Sequence, residues 1–258
     1  MKTECGIFAI FTNTTGTTGI INLEDEIKII IYNAMLNIQH RGQDGYGLIL
    51  LGDDIKILKR SGLLPEYDNE LIQNFFNSIS QNNLFLGHMR YSTNTLIENT
   101  NSGNELSGIQ PICIDQNRNI YLAHNGNLPN LESNINKLNM KYFSNYSNRI
   151  NPENILSDTY LFREIWNIFF QNRIFKTLQQ SNSDDIVLED IIQYIKWILE
   201  NITGAYSCVM TFIDNLTMNN IQPSSITSLT SSLTSSLTSS CNSDSIILER
   251  SEEHTSEL

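Results

Sequence analysis

Five short runs of the sequence carry side chains that could take part in a reaction. They are Cys5-Gly6-Ile7-Phe8, Gln39-His40-Arg41-Gly42-Gln43-Asp44-Gly45, Gly87-His88-Met89-Arg90-Tyr91-Ser92-Thr93, Ala123-His124-Asn125-Gly126-Asn127-Leu128 and Ser157-Asp158-Thr159. Together they offer a thiol, two arginines, an Asn-Gly pair and an aspartate, the groups from which nucleophilic attack on a small polar substrate can be assembled. Taken singly, each has a plainer explanation. A cysteine near a terminus is by default a small buried apolar residue. His40 and His88 read as satisfied core histidines, and Arg41 and Arg90 as surface ion pairs. Asn125-Gly126 is a turn signal, and Asp158 suits a helix start. Only the five runs in this order and spacing ask for more.

The elements that must position them can be read from hydrophobic period and turn chemistry. Cys5 to Phe11 is a short apolar run of strand type, followed by a Thr/Gly-rich turn from Thr12 to Gly19. A helix is predicted over about 25–40, where Ile27, Ile30, Ile31, Ala34, Met35 and Ile38 recur at three and four. Gly47 to Leu51 and Ile55 to Leu58 read as a hairpin around Gly52-Asp53-Asp54. A helix over about 69–80 precedes a strand at 84–88. Ile112 to Ile114 and Ile120 to Ala123 can pair across the residues between them, and helices are predicted over 131–138, 159–170 and 186–199. Ala205 to Ile213 reads as a long strand. Hairpin strands with helices that do not strictly alternate favour an α+β arrangement over a doubly wound parallel sheet.

The 258 residues carry a formal net charge of -12 and show no basic stripe, which argues against nucleic acid as a partner. No segment approaches the roughly 20 apolar residues of a membrane span, and no apolar signal-peptide core follows Met1. The four cysteines, Cys5, Cys113, Cys208 and Cys241, form no CxxC pair, so no metal site is expected, and a reducing cytoplasm fits them best. After Asp214 the composition changes. Residues 215–249 read as a Ser/Thr-rich low-complexity tail in which Leu229, Leu233 and Leu237, spaced by four, bury too little to offset ordering. Arg-Ser-Glu-Glu-His-Thr-Ser-Glu-Leu at 250–258 matches, letter for letter, one frame of a common sequencing-library adapter and reads as an artefact. Residues from Gln222 onward are expected to pack little against the body.

As a set, the five runs resemble the class II glutamine amidotransferases of the N-terminal-nucleophile hydrolase fold. Within that class Gln43 and Tyr91 point to the amidophosphoribosyltransferase branch. The resemblance covers about Glu4 to Ile213. It implies a four-layer αββα sandwich with two stacked, mostly antiparallel sheets, in which Cys5 starts a central strand and Asn125-Gly126 lies near it. It further implies that residues 1–4 are a removed leader, that 5–214 are an incomplete amidotransferase domain, and that Cys5 attacks glutamine with its own α-amino group as base. That group titrates near 8 in reference peptides, so a fraction is neutral at pH 7.

The roles implied for the other residues follow the same resemblance. The Asn125 side chain and the Gly126 N–H are the oxyanion donors, and Arg90 clamps the α-carboxylate with help from Thr93. Asp158 holds the α-ammonium, Arg41 and Gly42 pack beside the nucleophile, and His40 and His88 are structural. No cofactor is expected in this domain, and Mg2+ only with a phosphoribosyltransferase domain that follows in the family. Such a full-length enzyme is expected to be a homo-oligomer. Tyr160 stands where the family has Glu, and Asn94 to Gly108 form a longer, Asn-rich loop. Another class II amidotransferase, or an inactive fragment that still binds glutamine, would carry the same motifs.

Overall fold

The computed structural model describes residues 5–13, 23–52, 54–77, 82–91, 108–128, 130–146, 149–152, 155, 157–180, 185–186, 188–211 and 245–250. Its strands are β1 (Gly6–Asn13), β2 (Gly45–Leu51), β3 (Ile55–Ser61), β4 (Asn82–Arg90), β5 (Ile112–Asp115), β6 (Ile120–Asn127), β7 (Ala205–Thr211) and β8 (Ser245–Arg250). Its helices are α1 (Leu23–Ile38), α2 (Glu70–Phe76), α3 (Leu131–Lys141), α4 (Asp158–Gln171), α5 (Lys176–Gln180) and α6 (Leu188–Asn201), with a 3-10 turn at Gln39–Arg41. Two four-stranded sheets result, ordered β1-β4-β2-β3 and β5-β6-β7-β8, and every described pairing is antiparallel. Helices and antiparallel sheets without strict alternation make the chain α+β.

Period-2 patterning decides which face of each strand meets what. In β2, Tyr46, Leu48 and Leu50 join Phe85 and Met89 of β4 against Ile27, Ile31 and Met35 of α1 and Ile72, Phe75 and Phe76 of α2. The alternate residues Ile49, Leu51, Leu84 and Leu86 meet Tyr121, Ala123 and Val209 of the other sheet. That sheet turns Ile112, Ile120, Leu122, Cys208 and Met210 outward to a larger cluster built on α3, α4 and α6, with Trp166, Phe169, Tyr194 and Phe175 at its centre. β2 is buried along its whole length because it is covered on both faces. The outer strand β3 exposes Lys56 and Arg60, charges that discourage edge pairing. The Asn69 side chain starts α2 by accepting the Leu71 N–H at 3.0 Å.

Two expectations, and one plainer reading of a single motif, need correction. Among the described strands β1 lies at the edge of its sheet, paired only with β4, and it is β4 with its Gly87-His88-Met89-Arg90 motif that is central. Asn125-Gly126 is no turn: both residues lie within β6, opposite Ser207 and Tyr206 of β7, because the ladder with β7 carries the strand through them. Ser245–Arg250, placed in the low-complexity tail and the adapter segment, pairs with β7 from Thr211 to Tyr206. The run Ile246-Ile247-Leu248 has strand propensity, and β7 would otherwise present an unpaired backbone edge. The remaining residues from Gln222 to Asp244 and from Ser251 to Leu258 lie outside the described residues, as do residues 1–4.

Candidate active site

Cys5 immediately precedes β1, and the β1–β4 register, with Gly6 opposite Met89, brings it beside the end of β4. Its sulfur lies between the two backbone polar groups of Tyr91. The Tyr91 N–H donates to Sγ at 3.3 Å, and the thiol donates to the Tyr91 carbonyl at 3.6 Å. The Arg41 Nε donates to the Cys5 carbonyl at 3.1 Å. The loop that carries Arg41 is fixed to β4 in turn, since the Asp44 N–H donates to the Arg90 carbonyl at 3.0 Å. Gly42 is required by this fit: a Cβ there would stand 2.5 Å from the Arg90 carbonyl carbon and 2.6 Å from the Met89 oxygen, both backbone atoms. Gly108 makes room for the Arg90 side chain, a Cβ there falling 2.9 Å from Nη2.

Two opposite charges act on the thiol. Burial raises the Cys5 pKa above its ordinary value; the Tyr91 N–H opposes that, the Asp158 carboxylate raises it further and the Arg90 guanidinium lowers it. Asp158 opens α4 behind the N-cap Ser157, where the helix dipole favours a carboxylate, and its Oδ1 accepts the Thr159 N–H at 2.9 Å. Asn125 shares with Tyr121 and Ala123 the face of β6 that meets the other sheet, where Ile7 and Ala9 of β1 also pack. Asn125 is half-buried, and Gly126 is exposed.

The histidines differ from one another. His40 is exposed, with Nδ1 2.8 Å from the Asn37 carbonyl. His88 is fully buried on β4, neither ring nitrogen has a partner among the described residues, and burial takes its pKa down to about 3, with the charges of His124, Arg90 and Lys59 acting in the same direction. His124, also buried, points the other way, to α4: its Nδ1 lies 3.3 Å from Thr159 Oγ1 and 3.8 Å from Asp158 Oδ1. Among the described residues no group of three or more His, Cys, Asp or Glu could hold a metal ion, and no helix is long and apolar enough to cross a membrane.

Of the residues singled out in the sequence, Cys5, Arg41, Gly42 and Arg90 are therefore in one contiguous arrangement, with Asp158 in electrostatic reach of the sulfur. Thr93 lies outside the described residues. Three contributors carried no sequence signal: the Tyr91 backbone, Gly108 and the His124 ring nitrogen. A backbone group has no letter of its own, Gly108 looks like one more loop glycine, and a His beside Asn-Gly does not announce a partner thirty-odd residues away.

No protein-family profile matches the chain. Curated relatives do. The chain is 30% identical over 216 residues to an amidophosphoribosyltransferase of Methanocaldococcus jannaschii, covering 82% of this chain and 36% of the relative. It is 25% identical over 218 residues to the Pasteurella multocida amidophosphoribosyltransferase, covering 83% and 38%, and 28% identical over 228 residues to that of Escherichia coli, covering 87% and 38%. The chain is thus a homologue of the amidophosphoribosyltransferases along most of its own length, and it spans little more than a third of theirs.

Proposed function

We propose that this chain is a glutamine-hydrolysing domain of the N-terminal-nucleophile type, a four-layer αββα sandwich, with Cys5 as the attacking residue after removal of residues 1–4. The observation that carries the reading is a half-buried thiol with one guanidinium and one carboxylate acting on it from different elements. Free glutamine is a zwitterion, and a site for it must hold both charges. Arg90 is suited to the α-carboxylate, where a planar guanidinium binds bidentately, and Asp158 to the α-ammonium. Thr93 is assigned to the carboxylate side from the motif alone.

The chemistry follows from that placement. A thiol whose pKa is raised by burial is largely protonated at neutral pH and needs a base at hand. His88 and His124 are buried and His124 is turned to α4, so the base assigned here is the α-amino group of Cys5 itself. It takes the thiol proton, the sulfur attacks the side-chain amide carbon, and the Asn125 side chain with the Gly126 N–H stabilises the oxyanion. One such donor is worth about 3 kcal/mol. The α-ammonium returns its proton to the leaving nitrogen, ammonia departs and a thioester remains. Water then releases glutamate and restores the thiol. Arg41, on the Cys5 carbonyl, and Gly42, against β4, keep the nucleophile in place.

By kinship with the amidophosphoribosyltransferases, the ammonia is passed to phosphoribosyl diphosphate to give phosphoribosylamine, the first step of purine nucleotide synthesis. That transfer, with its Mg2+, and homo-oligomer assembly are assigned to a longer, full-length enzyme, since the chain spans little more than a third of the relatives' length. A cytoplasmic setting goes with the reading, as do partners other than nucleic acid or membrane. The test is Cys5→Ser in a chain that begins at residue 5. Glutamate release is expected to fall to background while the circular dichroism spectrum and melting temperature stay close to wild type, since oxygen replaces sulfur at similar volume but is far harder to deprotonate. Glutamate release that survives the substitution would overturn the mechanism.

A further inference from the structure

His124 stands immediately before Asn125-Gly126 on β6, yet its ring leaves the inter-sheet face and reaches the first residues of α4. It is held there on both sides. Its own backbone N–H donates to the Gln110 side-chain oxygen, and its ring lies 5.3 Å from that of Phe162 and 6.1 Å from that of Tyr206. Nδ1 faces two oxygens, Thr159 Oγ1 at 3.3 Å and Asp158 Oδ1 at 3.8 Å, while Nε2 is buried with no partner among the described residues. At 3.3 Å Nδ1 is within hydrogen-bonding distance of the Thr159 hydroxyl, which either donates or accepts, while the Asp158 oxygen at 3.8 Å is in electrostatic reach only.

We propose that His124, as a neutral ring bonded through Nδ1 to the Thr159 hydroxyl, is a positioning residue that holds the first turn of α4 and so aims the Asp158 carboxylate at the substrate's α-ammonium; this rests on the glutamine reading of the site. The geometry gives the assignment its physical sense. An imidazolium here would neutralise Asp158 and compete with the substrate's cation. A neutral ring held on Thr159 fixes the start of α4 and leaves the Asp158 charge available. Burial, which outweighs the Asp158 charge and lowers the His124 pKa, favours the same neutral ring. The His124 side chain is 2% exposed and that of Asp158 26%, so the histidine lies behind the carboxylate and the carboxylate remains open to a ligand. Because Asn125 is the next residue, one side chain ties the ammonium end of the site to the strand that carries the assigned oxyanion donors.

The test uses covalent labelling of Cys5 in the whole chain, produced with Cys5 as its first residue. The probes are the glutamine-shaped 6-diazo-5-oxo-L-norleucine, its analogue lacking the α-amino group, and iodoacetamide. In the diazoketone reaction the thiol proton goes to the diazo carbon and the sulfur then displaces N2. His124→Phe keeps the aromatic stacking and removes Nδ1, His124→Asn retains an amide N–H near the Nδ1 position, and His124→Gln moves it towards Nε2. His124→Phe is expected to raise the half-saturating concentration of the amino-bearing probe about fivefold or more, the usual scale for losing one buried hydrogen bond. The limiting rate should change little, and the des-amino probe and iodoacetamide should label as in the wild type. His124→Asn should recover most of the loss and His124→Gln should not. Equal losses with and without the α-amino group, no loss in His124→Phe, or identical behaviour of the Asn and Gln variants would overturn the proposal. A wild-type Cys5 that reacts with iodoacetamide but not with the amino-bearing diazoketone would instead remove the glutamine reading itself.

Discussion

The two sheets are backed by helical layers of different character. Outside β5–β8, among the described residues, 26 buried side chains form one cluster; Trp166, Phe169, Phe175 and Tyr194 in it, and the partly buried Trp197 packed against it, make T-shaped and tilted ring pairs at centroid distances of 5.0 to 5.8 Å. Outside β1–β4 the matching cluster has 13, and α1 leaves Ile29, Ile30 and Leu36 exposed. The thinner side is nonetheless the one that fixes Cys5, Arg41, Gly42 and Arg90, and it does so by backbone fit: a carbonyl held by a guanidinium, an amide on a sulfur, a glycine pressed on β4. The thicker side supplies Asp158 and Asn125 from elements anchored in the aromatic mass. Stability and placement are thus separable here, and substitutions can show how far.

Trp166→Ala should have the largest effect, lowering unfolding free energy by about 3–5 kcal/mol in denaturant titration, as for other buried large-to-Ala changes. A loss near 1 kcal/mol would mean the aromatic cluster is not what stabilises the fold. Gly42→Ala should cost less, about 1–3 kcal/mol. It should disproportionately reduce glutamate release, because the new methyl group pushes the Arg41 loop away from β4. Equal stability and activity relative to wild type would show that the backbone fit is looser than the 2.5 Å approach indicates.

His88 allows a pH test between the sheets. Its folded pKa of about 3 lies below the ordinary 6.5, so the unfolded chain binds the proton more readily. The stability tied to a neutral His88 is therefore complete above pH 6.5 and declines as pH falls from there towards 3, by at most about 1.4 kcal/mol per pH unit. His88→Leu should be at least as stable as wild type at pH 7, since it removes two unpartnered polar atoms, and should flatten the decline between pH 6.5 and 4.5. Unchanged slopes in melts over that window would place the titration elsewhere. The smallest effect joins the two halves. Asp158→Asn should speed iodoacetamide alkylation of Cys5 at fixed pH by a few-fold, and Arg90→Gln should slow it, because the carboxylate raises the thiol pKa and the guanidinium lowers it. Rates moving in the same direction in both variants would show that the two charges do not act on the thiol as described.

Much of this was legible in the letters. The hairpin of β2 and β3 and the pairing of β5 with β6 are visible in short apolar runs flanking turn chemistry, and α1, α4 and α6 in apolar residues at three and four. Local signals failed where tertiary context decides. Asn-Gly favours a turn in isolation, but in β6 it continues a ladder with β7 that no window around residue 125 contains. The same holds for β8, whose partner lies beyond a long Ser/Thr-rich stretch, and for α5, whose five residues are too short for a periodic pattern and which starts where Thr177 donates to Asp190. For the site, the motifs named the side chains but could not show that the Tyr91 backbone brackets the sulfur or that His124 turns to α4.

The way Cys5 is gripped bears on how a residue inside a chain can become a terminus. Its described hydrogen-bonding partners hold the sulfur, through Tyr91, and the carbonyl, through Arg41. The strand that follows is registered on β4 from Gly6 onward. All of these anchors lie at the side chain or downstream of it, so cutting the peptide bond on the other side of Cys5 leaves each of them in place. On the proposed mechanism, the new amine would then emerge beside a sulfur already seated.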